Sequence, residues 1–582
     1  MRRVGICFSF FCVSRIAYGF SPKPYGPTKN EIRQKQSSIC TSLMATNQDR
    51  CDVAVFGGGF GGLYTALAIS RDARSRGRTL DVALVEPSDK FVFLPLLYDL
   101  TVGTASESEV CPTYKDILVG TGVRHVRASL DCYSSPDLYS ANITTTTSLQ
   151  DGGGKDTTTA TTPTTTLSFR SSVVAVGATP QSTLASVPGA LEYTQPFYTQ
   201  ENAKETRELL ARFESSVQDG TSKRPRLAII GGGYGGVELA ACIKRKLPQS
   251  SVSLLTRGPP MEGTRAEALV EKALKRLGVN VDVCSVEEII PVKADDNGDV
   301  SAGKSNQVLI KTSAIGTEGM EDDSSEPWDA VLWTAGSGPA YPVSEEKLSG
   351  LSKVESGRLA IDSTLRCLWS DENSQSTSKR LGKPPVWALG DCTEIVDNLD
   401  QPVVPKTAQA AMQQADIVAF NLLADLQSQS STRTFQFQDL GSMLTLGGPN
   451  GAILAPRDDS PLAPVLAPLF DTARVGFGLA DEVFAQLTKS PVAEKVGLTP
   501  VVENLGLSLG GYGLGVDSDT SPGTLSGTLT GAARRAVYAV RMPTNRQRAY
   551  AAASAAISTA AALAKEANDQ IEKSKNGNEK DS

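Results

Sequence analysis

The chain has 582 residues, 40% of them hydrophobic, and a net charge of -7; it is too long for one core and is composed like a folded protein of roughly two to four domains. The charge balance leaves no basic excess for nucleic acid, and with a single histidine, His125, the chain mostly lacks the imidazoles that histidine metal sites and Ser-His-Asp chemistry draw on. The 10 cysteines never form C-x-x-C after residue 45, which suits reduced, inert thiols better than a disulfide framework or a zinc site.

Residues 1–45 read as a targeting segment outside the fold. Arg2 and Arg3 precede the apolar run Val4 to Val13, which has the length of a signal-peptide core and is too short to span a bilayer. A small-residue border at Phe20 follows, then Lys, Ser, Gln and Arg with few acids. The arrangement resembles the two-part presequence of algae with secondary plastids, with a mitochondrial leader or a secretory signal as the alternative.

The first folded signal is Cys51 to Leu67, CDVAVFGGGFGGLYTAL: an apolar strand, then Gly57, Gly59 and Gly62 in G-x-G-x-x-G spacing, then a helix. Such glycines allow a sharp turn and let a pyrophosphate approach the helix N-terminus, where unpaired N–H groups carry about half a positive charge. The next apolar strand, Val82 to Val85, ends in Glu86, near the spacing of about 20 residues at which an acid binds a ribose hydroxyl. FAD is the dinucleotide expected here. Phe91 to Tyr98 is expected to line the cofactor, with plain packing as the alternative. His125, in a strand-like run, is expected to be an ordinary structural residue. Thr144 to Thr166, rich in Thr, Gly and Asp without a period, reads as a solvated insertion. Ser172 to Pro180 is a buried strand ending at Gly177-Ala178-Thr179-Pro180, where the chain is expected to cross into a second domain.

The opening pattern then recurs. Arg226 to Ile230 is a strand, Gly231, Gly233 and Gly236 form the turn, and Val237 to Lys246 is the helix. Two such turns about 170 residues apart are far more specific than one. The following strand, Val252 to Leu255, runs into Thr256-Arg257 and carries no acid. An acid there accepts the 2′-hydroxyl of NADH and repels the 2′-phosphate of NADPH, whereas an arginine beside a neutral residue does the reverse. NADPH is therefore expected over NADH, with Arg257 as the selector; an arginine that simply points to solvent is the alternative. Trp328 to Gly336 closes this domain, and Val386 to Asp391 returns to the first, with Gly390-Asp391 placing a carboxylate beside a flavin's ribityl chain. Pro405 to Gln414 begins a helix whose N-terminus points at the flavin ring and helps to stabilise negative charge on it.

GGGFGGL at 57–63, FVFLPLLYDL at 91–100, VAVGATP at 174–180, GGGYGGVELA at 231–240, LWTAG at 332–336, ALGDC at 388–392 and AQAAMQQAD at 408–416 form a recognisable set. The chain resembles the type II NAD(P)H:quinone oxidoreductases, single-chain alternative dehydrogenases of respiratory and photosynthetic membranes. FQFQDLG at 435–441 and LTGAARRAVYAVRMP at 529–543 resemble most the chloroplast branch that reduces demethylphylloquinone and plastoquinone.

The resemblance implies an α/β fold with two Rossmann-like domains and a C-terminal membrane-associating helical region. It implies that Gly57, Gly59, Gly62, Glu86, Gly177, Gly390 and Asp391 hold FAD and that Gly231, Gly233 and Gly236 hold the nicotinamide dinucleotide. Glu238 matches a glutamate near nicotinamide and flavin, and Gln409 and Gln413 match a signature lining the quinone pocket. The domains expected are 48–190 and 346–450 for FAD, 191–345 for NAD(P)H, an insertion of unknown role at 451–526 and a tail at 527–582.

The arginines Arg534, Arg535, Arg541, Arg546 and Arg548, with an Ala-rich helix from Ala549 to Ala564, suggest an in-plane contact with a membrane surface; packing on the domain or on a second subunit is the alternative. The implied location is peripheral on thylakoid membranes or plastid lipid bodies, or else the mitochondrial inner membrane, and a homodimer is common in the family. Two rivals share the fold. A sulfide:quinone or disulfide reductase needs paired redox cysteines, and none follow Gly62 or accompany Gly177; a reductase of a soluble electron carrier stays open.

Overall fold

Short apolar runs that are buried on both faces pair most readily as parallel strands covered by other layers, and the chain contains two groups of them. The computed structural model describes residues 50–133, 139–145, 164–219, 224–292, 307–314, 321–322, 326–370 apart from 346 and 349, 385–397, 403–447, 450–456 and 524–557 apart from 555. The elements below all belong to the unit Cys51–Ser582. The expected targeting segment 1–45 lies outside the described residues.

The first sheet has the strand order Val386–Ala388, Ser171–Val174, Val53–Phe56, Val82–Val85, Val123–Val126, all parallel. Every residue of its three central strands is buried. The helices Phe60–Ser75 and Ala408–Leu426 pack against each other beside it. Ala128–Tyr133, Ser140–Thr145 and Thr164–Ser168 form an antiparallel sheet that buries Leu130, Ile143 and Leu167. Phe56 meets Tyr133 and Phe169 edge-on, at 6.3 and 5.9 Å between centroids. The Thr-rich insertion is thus narrower than its composition suggests: Thr144 pairs with Thr164 across two strands, because threonine's branched Cβ suits a half-buried sheet. The stretch 146–163 lies outside the described residues.

The second sheet takes every described strand from 195–333. Its order is Glu321–Asp322, Val308–Ala314, Val279–Pro291, Ser251–Thr256, Arg226–Ile230, Ala330–Trp333, Gln195–Pro196. Its centre is parallel and its Val308–Ala314 edge antiparallel. The two crossings between the sheets lie side by side: Ala178–Thr179 pairs antiparallel with Gly338–Pro339, and Thr183 Oγ1 donates to the carbonyl of Ala335 at 2.9 Å.

A further antiparallel sheet joins Ser442–Thr445, Gly451–Leu454 and Thr524–Gly527. A boundary at residue 450 would therefore cut a paired sheet, and the segment expected as an insertion starts and ends as two of its strands; Asp458 to Pro522 lies outside the described residues. The helix Thr528–Arg541 follows directly, and residues 545–554 form a further helical run.

Here the structure corrects two expectations. Arg534 and Arg535 are not free for a membrane surface. Arg534 Nη2 donates to both oxygens of Asp99, at 3.1 and 2.8 Å, and Arg535 Nη2 to both oxygens of Glu109, at 2.8 and 3.0 Å, with all four side chains buried. Phe91 to Tyr98 is mainly core: Phe91, Phe93, Leu96 and Leu97 are buried, and Phe93 packs edge-on against Phe60 and against Tyr538 of the C-terminal helix. Tyr64 caps that helix by donating its hydroxyl to the carbonyl of Arg541. Among the described residues, no helix is long and apolar enough to cross a membrane.

A charge left alone in such a site is costly. Arg534→Met should lower stability by about 3–5 kcal/mol by stranding Asp99, and Asp99→Asn in the same chain should restore part of it. Denaturant titration of the single and double variants measures this, and a single-variant loss under about 1 kcal/mol would contradict the buried pair.

Candidate functional site

The two glycine turns share one backbone plan. Gly57 and Gly231 have φ of +101° and +121°, in the region that favours glycine. A methyl added at Gly62 would collide with the carbonyl oxygen of Gly57, and one at Gly236 with that of Gly231. The third glycine of each turn differs: around Gly59 and Gly233, nothing lies within 4 Å of an added methyl. Each turn thus has two positions where the backbone must touch itself and one where it opens. Gly59 and Gly233 are also the N-caps of Phe60–Ser75 and Tyr234–Lys246, with no side-chain cap, so the helices' first N–H groups are left for an anion. Both cradles fit a dinucleotide pyrophosphate.

Around the first cradle, Glu86 sits at the strand end. Its Oε2 accepts the N–H of Gly58 at 2.7 Å and its Oε1 that of Ser88 at 3.0 Å. Burial pushes its carboxyl above the ordinary range, opposed by these two bonds. Tyr114 donates its hydroxyl to the carbonyl of Gly58 at 2.8 Å, and His125 lies against that ring with Nε2 2.9 Å from the carbonyl of Glu86. His125 is a structural residue of this turn.

In the second unit the strand ends are in register with the first: Gly57 donates to the carbonyl of Val85 and Gly231 to that of Leu255, both at 2.9 Å. Thr256 therefore occupies the place of Glu86, and Arg257 follows it, exposed.

The return from the second sheet brings Gly390 and Asp391 to the first. Gly390, at φ +79°, donates its N–H to Oε1 of the buried Gln414 at 2.8 Å. Arg358 Nε donates to the carbonyl of Asp391 at 3.0 Å and Nη2 to that of Ser337 at 2.9 Å, tying this turn to the crossing strand. Among the described residues no donor reaches the Asp391 carboxylate; burial raises its carboxyl, partly offset by Lys406 and Arg358. An acceptor held beside a helix N-terminus suits a ribityl hydroxyl. Gly177 has φ +72° with open space around it, and its carbonyl accepts the N–H of Ala340 at 3.0 Å.

Glu238 is buried in the helix behind the second cradle and accepts the N–H of Thr445 at 2.8 Å. Burial pushes its carboxyl up to about 8, opposed by Arg534 and assisted by Asp99, so it holds a proton at neutral pH. Tyr98 stacks on Phe197 at 5.4 Å between centroids, and its hydroxyl lies 3.3 Å from a methyl built on Gly235. Gln409 and Gln413 lie one helical turn apart and spend both ends of their amides on one extended segment: Gln409 on Leu440 N–H and Gly441 C=O at 3.0 Å each, Gln413 on Gln438 N–H at 3.0 Å and C=O at 2.8 Å. They hold that segment in place instead of presenting free amides.

Among the described residues no cysteine follows Gly62 in its helix or accompanies Gly177 in sequence, although the buried Cys367 lies near Cys392. The seven described are free thiols; burial pushes Cys51 and Cys111 up to about 12 and Cys392 to about 11. Among the described residues no group of His, Cys, Asp and Glu could hold a metal ion. Sequence reading passed over Tyr114, Gln414, Arg358 and the Asp99–Arg534 pair. Only Gln414, next to Gln413, carried a visible signal.

The pyridine nucleotide-disulphide oxidoreductase family matches residues 51–415. The chain is 30% identical, over 73% of its length and 76% of the relative's, to the alternative NAD(P)H-ubiquinone oxidoreductase C1, chloroplastic/mitochondrial, of Arabidopsis thaliana. It is 28% identical, over 69% and 86%, to the demethylphylloquinone reductase of a Synechocystis strain. Among solved structures it is similar in fold to NDH2 of Plasmodium falciparum in complex with NADH, with a TM-score of 0.53 at 15% identity, covering 75% of this chain and 94% of that one.

Gly59→Val and Gly233→Val should both fold, since each side chain enters open space. Gly59→Val should purify without flavin absorbance; Gly233→Val should keep it and lose nicotinamide-nucleotide binding by titration calorimetry. A carboxyl whose folded value lies above its ordinary one costs stability as pH rises through the interval between them. The stability of the parent chain relative to Glu238→Gln should therefore fall from about pH 4.5 to about pH 8 and level off above, as read from thermal melts across pH.

Proposed function

Because the chain belongs to the pyridine nucleotide-disulphide oxidoreductase family and, within it, to the type II NAD(P)H:quinone oxidoreductases, we propose that it oxidises NADPH in preference to NADH and reduces a membrane naphthoquinone or plastoquinone. The protein is an FAD-dependent NAD(P)H:quinone oxidoreductase. The observation that carries the finer reading is the pair of open glycine cradles, one with an acid at the strand end and one with Thr256 and Arg257 there.

FAD would be held by Gly57, Gly59, Gly62, Glu86 and Asp391 and would supply hydride acceptance from the nicotinamide nucleotide and two-electron donation to the quinone. The chain's own residues do the rest. Gly59 and Gly233 leave room for the pyrophosphates, and the uncapped helix N-termini supply N–H donors and a favourable dipole. Glu86 and Asp391 accept hydroxyl hydrogen bonds. Gln414 and Arg358 position Asp391 through the Gly390 turn. Glu238, buried behind the second cradle with its carboxyl raised by burial, steadies the nicotinamide and relays a proton. Gln409 and Gln413 shape the quinone pocket through the backbone at 438–441. The sulfide:quinone alternative is disfavoured by thiols that stay protonated.

The plastid location, on thylakoid membranes or plastid lipid bodies, is supported by the segment 1–45 and by the chloroplastic and cyanobacterial relatives. Contact with a membrane surface is supported by exposed Val540, Tyr550 and Ile557 on the C-terminal helices. Replacing these three with serine should shift the protein from pelleted vesicles to the supernatant; unchanged pelleting would remove this surface.

The reaction is tested by stopped-flow absorbance on the purified protein. NADPH should bleach the flavin faster than NADH, and a short-chain naphthoquinone should restore its colour. Bleaching without recovery would point to a soluble electron acceptor, and bleaching by neither nucleotide would overturn the reading.

A further inference from the structure

We infer that Glu262 returns to the second nucleotide site the acid that its strand end lacks, and that this residue is what keeps NADH acceptable beside NADPH. The inference rests on reading the second cradle as the nicotinamide-nucleotide site with Arg257 at its 2′ side.

The strand after each glycine turn ends at the same backbone contact, so Glu86 and Thr256 are equivalent in position. Beyond these two residues the loops diverge. After Glu86 the chain makes a short turn in which the Ser88 N–H donates to Glu86 Oε1 at 3.0 Å and Ser88 Oγ to the carbonyl of Lys90 at 3.0 Å. After Thr256 it doubles back: Thr256 Oγ1 donates to the carbonyl of Gly258 at 2.9 Å, and two prolines, Pro259 and Pro260, bend the loop. The N–H of Met261 then donates to the carbonyl of Gly232 at 2.8 Å, inside the glycine turn itself. Met261 holds this at φ +61°, a rare state for a residue with a side chain, and is buried. The loop is therefore fastened to the phosphate cradle by its own backbone.

That fastening aims the next side chain. Glu262 donates its N–H to the carbonyl of Pro259 at 3.0 Å, and its carboxylate lies over Gly258: a methyl built there would collide with Oε2 and stand 3.2 Å from the carboxyl carbon. Arg257 and Glu262, both exposed, thus flank one strand end with opposite charges. The loop's other nearby acid, Glu267, is occupied by the N–H of Gly263 at 2.8 Å. A ribose 2′-hydroxyl can donate to the Glu262 carboxylate. A 2′-phosphate is attracted by Arg257 and repelled by Glu262. The site carries both an attraction and a repulsion for the phosphate, and the acid comes from the loop instead of the strand.

The test uses the full-length holoenzyme and two probes that differ only in the 2′ group, adenosine 2′,5′-bisphosphate and adenosine 5′-monophosphate, titrated calorimetrically. Glu262→Gln should tighten the bisphosphate by about fivefold and leave the monophosphate equal or weaker, with the gain shrinking as salt is raised. Gly258→Ala keeps the charge but displaces the carboxylate, and should move the ratio in the same direction. Arg257→Gln judges the underlying reading separately: it should weaken the bisphosphate and spare the monophosphate. If Arg257→Gln behaves so while Glu262→Gln and Gly258→Ala leave the ratio unchanged, the inference on Glu262 is overturned and the site reading stands. If neither probe binds the parent protein, the site reading itself fails, and the inference with it.

Discussion

A helix can meet the strand that precedes it only where no side chain intervenes, and the chain meets this constraint twice. At Gly62 and again at Gly236 the helix backbone lies against the carbonyl of the first glycine of its own turn, closer than any methyl allows. This contact sets the helix axis relative to the sheet and leaves Gly59 and Gly233 facing open space in front of unpaired N–H groups. The pairing of Ala178–Thr179 with Gly338–Pro339 then binds the two crossings between the sheets to each other. The site depends on these backbone contacts more than on any one side chain.

A second dependence runs through buried charge. Asp99, Arg534 and Glu238 share a region from which water is excluded, with two acids to one base. Asp99 takes both hydrogen bonds that Arg534 Nη2 offers, and Glu238 answers its burial by holding a proton. The C-terminal helix is thus part of the electrostatics of Glu238, even though it lies more than 290 residues away in sequence. Arginines that read as membrane anchors became internal because Asp99, in an apolar run, and Glu109, on a short helix, need partners to be buried at all.

Much of this architecture was legible in order along the chain, and for local reasons. Glycine at three fixed spacings, an apolar run before it and a helix after it specify a strand–turn–helix unit almost irrespective of context, so Gly57 to Gly62 and Gly231 to Gly236 could be read directly. Glu86 and the missing acid after Leu255 were legible because strand length and turn geometry place them. The Thr-rich stretch misled at its ends, where Thr144 and Thr164 lie in paired strands. Composition cannot report a pairing whose partner is 20 residues away.

By itself the sequence determined the two dinucleotide units, their order, the return of the chain at Gly390-Asp391 and the polarity of each strand end. These follow from steric limits on a few consecutive residues. Only the tertiary structure decided that Gln409 and Gln413 clamp the backbone at 438–441, that Gln414 holds the Gly390 turn, that Arg534 and Arg535 point inward, and that Glu262 comes back over Gly258. Each of these joins groups through space, and the partner of a buried or folded-back polar side chain is set by which elements pack together, which no short stretch of sequence encodes.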